Sequence, residues 1–166
     1  ISAGGNKRFH VRAVHDVTPP PVLFVHFIDN GNGTTTDMLT DLVWQQIPHA
    51  DSITWEQALT LADTLTYAGY TDWRLPNIKE LQSINDESLI NPSVSKIYFN
   101  GVNANRYWSS TSLPNQTTMA WYLDTHFGIT TYQSKTNQLY ALCVRGGNNI
   151  TGISDSAYPE IKIYTY

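Results

Sequence analysis

The stretch from Thr54 to Pro76 constrains the fold most, because it holds one amphipathic helix with both ends marked. Thr54 and Gln57 stand at capping-box spacing, so each can satisfy a backbone N–H that the first helical turn leaves free. Ala58, Leu61, Ala62 and Leu65 recur at intervals that line up one apolar stripe. The pattern predicts a helix over 54–68, with Gly69 at the position where a left-handed C-cap belongs. Pro76 cannot continue a helix but can precede one, and a second, shorter helix is expected from near Asn77 through Leu81 to about Ile84.

Everything around these helices reads as strand and turn. Val22 to Ile28 is apolar and aromatic, Asp29-Asn30-Gly31-Asn32-Gly33 supplies residues tolerant of positive φ, and Thr34 to Asp37 leads out. Leu39 to Gln45, carrying Trp44, is a second strand. From Asn85 to Asn105 periodicity fades into Asn, Ser, Pro and Gly, a long loop for a compact domain. Three β-like runs follow, at 107–111, 119–124 and 139–145. The expected class is α+β: one or two helices packed on antiparallel sheets with a long-loop region, the closing strand lying beside the opening one.

Charge limits the partners. Only 14% of residues are charged and the net charge is −4, with no block of Lys or Arg. Nucleic acid, an anionic membrane surface and a sulfated glycan all call for clustered cations, and are disfavoured. No apolar run approaches the ~18 residues of a membrane span. The sequence opens on Ile1, which reads as a piece excised from a longer precursor. Its single cysteine, Cys143, allows no internal disulfide and no Cys-based metal cluster.

The order of motifs resembles a known family. An Asp-Asn-Gly-x-Gly-Thr hairpin precedes Val43-Trp44-Gln45, and Thr54-Trp55-Glu56-Gln57-Ala58 opens the helix. Gly69-Tyr70-Thr71-Asp72-Trp73-Arg74-Leu75-Pro76 follows, then Lys79-Glu80-Leu81, Tyr107-Trp108-Ser109-Ser110-Thr111 and a closing Cys143-Val144-Arg145-Gly146. Over roughly residues 26–147 the chain resembles the Lcl C-terminal-domain family, bacterial surface modules with a C-type-lectin-like fold. The resemblance implies an extracellular or cell-surface location. Members often carry a helix cysteine that can bridge to the closing one; Ala62 takes its place here, so Cys143 is expected to be a free buried thiol. His10-Val11-Arg12-Ala13-Val14-His15 resembles the closing run Tyr140 to Arg145, which leaves two readings of residues 1–16 open. They are the closing strand of a preceding, similar module or an N-terminal strand of this domain. Residues 17–25, with Pro19-Pro20-Pro21, read as a Pro-rich linker, 26–147 as the domain, and 148–166 as a C-terminal extension.

Catalytic and metal chemistry finds little footing. The loop from Asp29 to Thr34 alternates Asp and Asn with Gly but lacks the carboxylates of a calcium loop, so a tight hairpin is the better reading. The Glu-Pro-Asn, Gln-Pro-Asp and Trp-Asn-Asp triplets of calcium-dependent sugar-binding lectins are missing. Formylglycine-generating oxidases, which share the lectin-like fold, rely on paired cysteines, and Cys143 is alone. His10, His15, His26, His49 and His126 are scattered without metal-binding spacing. No enzyme activity, metal or cofactor is expected.

Trp55, Trp73, Trp108 and Trp121 sit inside the shared motifs and are expected in the core. Asp72 and Arg74 flank Trp73 and are expected to pair with each other or with loop backbone. A binding surface is therefore sought at 100–106, 113–118 and 126–136, where the motifs are absent. These hold Asn103, Asn105, Arg106, Asn115, Gln116, His126, Tyr132 and Gln133, amides and an aromatic suited to hydroxyl-rich or peptide ligands. The expected function is recognition or adhesion, binding a glycan or protein on another cell surface. The alternative is a structural spacer, or a homotrimer-forming module of a surface fibre.

Overall fold

A computed structural model describes residues 26–146. The strand read at 1–16, the linker at 17–25 and the extension at 148–166 lie outside the described residues.

Helix α1 forms at Trp55–Thr64, four residues shorter at its end than the stripe predicts. Its start is as read: Thr54 caps the first turn, the Gln57 N–H reaches Thr54 Oγ1 (3.4 Å), and the Thr54 N–H donates to Gln57 Oε1 (2.9 Å). Its end is not. Leu65 is already extended, and Gly69 is not a helix cap. Ala68 (φ 52°) and Gly69 (φ 83°) are the central pair of a tight turn whose flanks, Tyr67 and Tyr70, exchange two backbone hydrogen bonds of 3.0 Å. Positive φ at both central positions is the pattern of a type I′ turn. Seating Trp73 explains the early stop. Trp73 is buried, packs edge-on to Tyr67 (5.8 Å, 76°) and donates from Nε1 to the Tyr67 carbonyl (3.1 Å).

Helix α2 covers Ile78–Ser83. Asn77 Oδ1 accepts the N–H groups of Lys79 and Glu80, and Glu80 reaches back to the Asn77 N–H, so Pro76-Asn77 starts this helix as expected.

The strands make two antiparallel sheets. β1 (Phe27–Asp29), β2 (Thr34–Asp37), β3 (Leu42–Gln45) and β7 (Val144–Gly146) form the first, in the order β1-β2-β3-β7. Thr34 to Asp37 is thus a strand in its own right, and the second strand begins at Leu42. The closing strand lies beside β3, with Trp44 opposite Val144, and β1 is the far edge among the described residues. The hairpin at Asp29–Thr34 forms: Asp29 Oδ1 takes the Gly31 N–H (2.8 Å), and Asn32 Oδ1 takes the Thr34 N–H (3.2 Å).

β4 (Arg106–Leu113), β5 (Gln116–Asp124) and β6 (Ile129–Ser134) form the second sheet in that order. β6 lies within a stretch read from sequence as loop. This sheet divides two apolar clusters. Tyr107 and Leu123 face Leu81, Val94, Phe99 and Val102, while Trp108, Ala120 and Tyr122 face Ala58, Ala62, Trp73 and Cys143. Alternation along each strand puts neighbouring residues on opposite faces, so one sheet serves both cores. Trp73 and Trp108 are buried as expected, whereas Trp55 and Trp121 are partly exposed.

The Asp72–Arg74 expectation is corrected by long-range partners. Asp72 pairs with Arg145 (2.7 Å), whose guanidinium stacks 3.7 Å from the Tyr70 ring centroid. Arg74 pairs with Glu80 (2.7 Å). Side chains either side of a buried Trp on an extended segment point the same way and repel no third group, so each takes the opposite charge its own surroundings offer.

Candidate ligand-binding groove

Beyond Ser134 the chain turns back over the sheet. The Trp55 N–H donates to the Lys135 carbonyl (3.1 Å), Ile53 and Leu139 exchange two bonds (2.8 and 3.0 Å), and Tyr140 pairs alongside the start of β4. The crossing segment leaves a gap between itself and the turn that joins β5 to β6. The gap is an open groove of about 830 Å³.

One wall is the end row of the sheet. Asp124 is buried, and its Oδ2 accepts from Arg106 Nε (3.2 Å) while its Oδ1 accepts the His126 N–H (3.0 Å) and lies 3.3 Å from His126 Nδ1. Arg106 also lies over the Tyr122 ring, 5.8 Å from its centroid. The guanidinium is thus held along its Nε edge and against one face, and its Nη atoms have no acceptor among the described residues. The contact with Asp124 lowers the rotamer freedom that the half-exposed side chain would lose on binding a ligand.

The opposite wall is amide-rich: Gln133, Asn137 and Gln138 line it, with the Asn137 side chain donating to Gln133 Oε1 (3.2 Å). Phe127 stands at the rim, 73% exposed, its ring 6.0 Å from that of His126. The four-residue turn is closed by the Gly128 N–H to the Asp124 carbonyl (2.9 Å), with Gly128 at φ 68°. Thr125, fully buried, clamps the turn to the preceding loop, its hydroxyl taking the Asn105 N–H (3.0 Å) with the Asn103 carbonyl 2.8 Å away. Behind it, the Ser93 N–H donates to the Thr125 carbonyl (2.7 Å).

Of the eight residues singled out from sequence, Asn105, Arg106, His126 and Gln133 come together in this groove. Asn103 lines a smaller adjoining recess of about 190 Å³ with Asn105 and Tyr140. Asn115 and Gln116 sit exposed at the far β4–β5 hairpin, away from the groove. Tyr132 lies on β6 with its side chain on the other face, edge-on to Trp121 (5.5 Å, 74°). Asp124, Phe127, Asn137, Gln138 and Tyr140 were not anticipated. An aromatic beside glycine in Thr125-His126-Phe127-Gly128 is the one local signal that marks a turn with an outward ring.

Cys143 is buried among Ala58, Ala62 and Trp108, and that burial pushes its thiol up to about 12. It is protonated at neutral pH and lies on the far side of the packing from solvent. Among the described residues no three of His, Cys, Asp and Glu gather as a metal site, and no helix is long and apolar enough to cross a membrane.

No curated protein sequence matches this chain. The family profile of the Lcl C-terminal domain matches residues 33–145, which runs from the first hairpin into the closing strand and takes in β2 to β6, both helices and the groove. The match fits a surface-associated bacterial domain. Spanning well over half of the sequence, it shows that the chain belongs to the Lcl C-terminal domain family.

Proposed function

We propose that this domain is an extracellular recognition module, and that it binds its ligand, a glycan or a protein segment on another cell surface, in the groove between the β5–β6 turn and the crossing segment. The observation that carries this reading is the placement of Arg106: paired with Asp124 and lying over Tyr122, it keeps donors free at the edge of an open cavity. The amides around it both donate and accept, which suits ligands rich in hydroxyl or peptide groups. The domain is read as binding without turnover.

Binding of the full chain to glycan arrays and to whole-cell protein extracts, followed by titration of the best ligand, tests the site. Arg106→Ala should weaken binding about tenfold or more, equivalent to about 1.4 kcal/mol. If Tyr132→Ala abolishes binding and Arg106→Ala does not, recognition lies on the opposite sheet face and the groove reading is wrong.

The alternative, a spacer or homotrimer-forming module, draws on exposed Ile90 (80%) and Ile97 (79%) in the long loop. Light scattering decides it: a stable trimer with no ligand in either screen would favour assembly over recognition.

A further inference from the structure

We infer that the groove selects a neutral sugar ring and holds it directly with side chains, without a bridging cation. The inference rests on the groove being the recognition site and adds the class of ligand.

Charge comes first. Among the described residues Arg106 is the only permanent cation lining the groove, and Asp124 lies against its Nε edge at 3.2 Å. Asp124 is 5% exposed and anchored by the His126 N–H, so it cannot swing away when a ligand arrives. An anion placed on the free side of Arg106 would be attracted by the guanidinium and repelled by a carboxylate only a few ångströms further on, at distances where both terms are large. The repulsion offsets part of the attraction. A neutral hydroxyl pair meets no such opposition, and the Nη atoms offer donors to its oxygens.

The remaining lining matches the rest of a pyranose. Hydroxyl groups donate and accept, as do the amides of Asn105, Gln133, Asn137 and Gln138. A sugar ring also has an apolar face of C–H groups, and the exposed Phe127 ring offers a rigid surface for it at little entropic cost.

Direct contact follows from the donor set. Calcium takes six to eight oxygens, usually from several carboxylates. Among the described residues this groove has one carboxylate, and both its oxygens are already engaged by Arg106 and His126.

The test uses the full chain against immobilised neutral oligosaccharides ending in glucose, galactose or N-acetylglucosamine, beside uronate- and sulfate-bearing ones, each with and without EDTA. The expected result is binding to at least one neutral probe, unchanged by EDTA and little altered by added salt. Arg106→Gln and Phe127→Ala should each weaken it about tenfold or more. Lys79→Ala, exposed on α2, should leave it unchanged. Phe127 is exposed, so its variant keeps the fold even if Arg106→Gln loosens the sheet; melting curves of both verify this. Binding confined to anionic probes and steeply weakened by salt, or binding lost in EDTA, overturns the neutral, cation-free reading while the groove survives if the same variants abolish it. Absence of binding to every probe overturns it too. Neutral-probe binding that neither variant changes removes both this inference and the groove.

Discussion

Arg74 and Glu80 face each other as two parallel forks, Nη1 to Oε2 at 2.7 Å and Nη2 to Oε1 at 2.8 Å. The same glutamate accepts the Asn77 N–H (2.8 Å), and the same arginine donates to the Gly146 carbonyl (3.2 Å), so one pair joins the 69–76 run, α2 and β7. Burial pushes the Glu80 carboxyl up, but the hydrogen bonds from Arg74 and Asn77 outweigh it and hold it below its ordinary 4.5. A carboxylate depressed in the folded state stabilises above its unfolded value and loses that contribution as pH falls past it. The melting temperature should therefore decline as pH drops below about 4.5, and Glu80→Gln should flatten that decline while costing about 1.5–3 kcal/mol at neutral pH. Thermal melts of both proteins from neutral to acid pH check it.

Gly33 and Gly69 both sit at positive φ but differ in their surroundings. A Cβ on Gly69 meets open space, whereas one on Gly33 would run into the Tyr67 hydroxyl. Gly69→Ala should cost only the left-handed strain, about 1–2 kcal/mol, and Gly33→Ala more. In a Tyr67→Phe background, which removes the colliding oxygen along with its bond to the Gly33 carbonyl, the extra cost of Gly33→Ala should shrink. Urea unfolding of the four proteins reads out the coupling; additive costs would contradict it.

Cys143 and Tyr107 give the alkaline limb. Burial raises both to about 12, from 9.0 and 10.0 respectively. Groups raised in the folded state stabilise fully below their unfolded values and lose that contribution as pH rises through the folded ones. Stability should begin to fall above about pH 9, and Cys143→Ala should delay the onset to about pH 10, where Tyr107 takes over. Native Cys143 should also react with thiol reagents only on unfolding.

The sheet that separates the two apolar clusters makes a prediction about additivity. Leu81→Ala on one side and Leu139→Ala on the other should each cost about 2–5 kcal/mol, and the double variant should equal their sum within about 0.5 kcal/mol. A large deviation in chemical denaturation would mean that the β4–β5–β6 sheet transmits packing changes between its faces.

What the sequence revealed was mostly local. The Thr54 capping box, the helix start near Asn77 and the Asp29–Thr34 hairpin involve partners a few residues apart, and all three stand as read. Gly69 misled because a glycine after an apolar stripe fits a helix cap and a type I′ turn equally, and only Trp73 packing on Tyr67 decides between them. β6, Ile-Thr-Thr-Tyr-Gln-Ser, escaped because an edge strand with both faces partly wet has no two-residue hydrophobic alternation. Four groove residues were found because amide-rich stretches without core motifs coincide with it. Asn137 and Gln138 were not, because their place depends on Lys135 bonding to Trp55, eighty positions earlier in the chain.

Thr125, locked between Asn103, Asn105 and Ser93, gives the turn that bears His126 and Phe127 a support independent of what those two side chains are. Exchange of residues at 126, 127, 137 and 138 therefore touches neither apolar cluster. Related domains can drift from one ligand to another by surface substitutions alone, with folding left out of the transaction. A lineage could carry many versions of this module side by side, alike in frame and different in what each one holds.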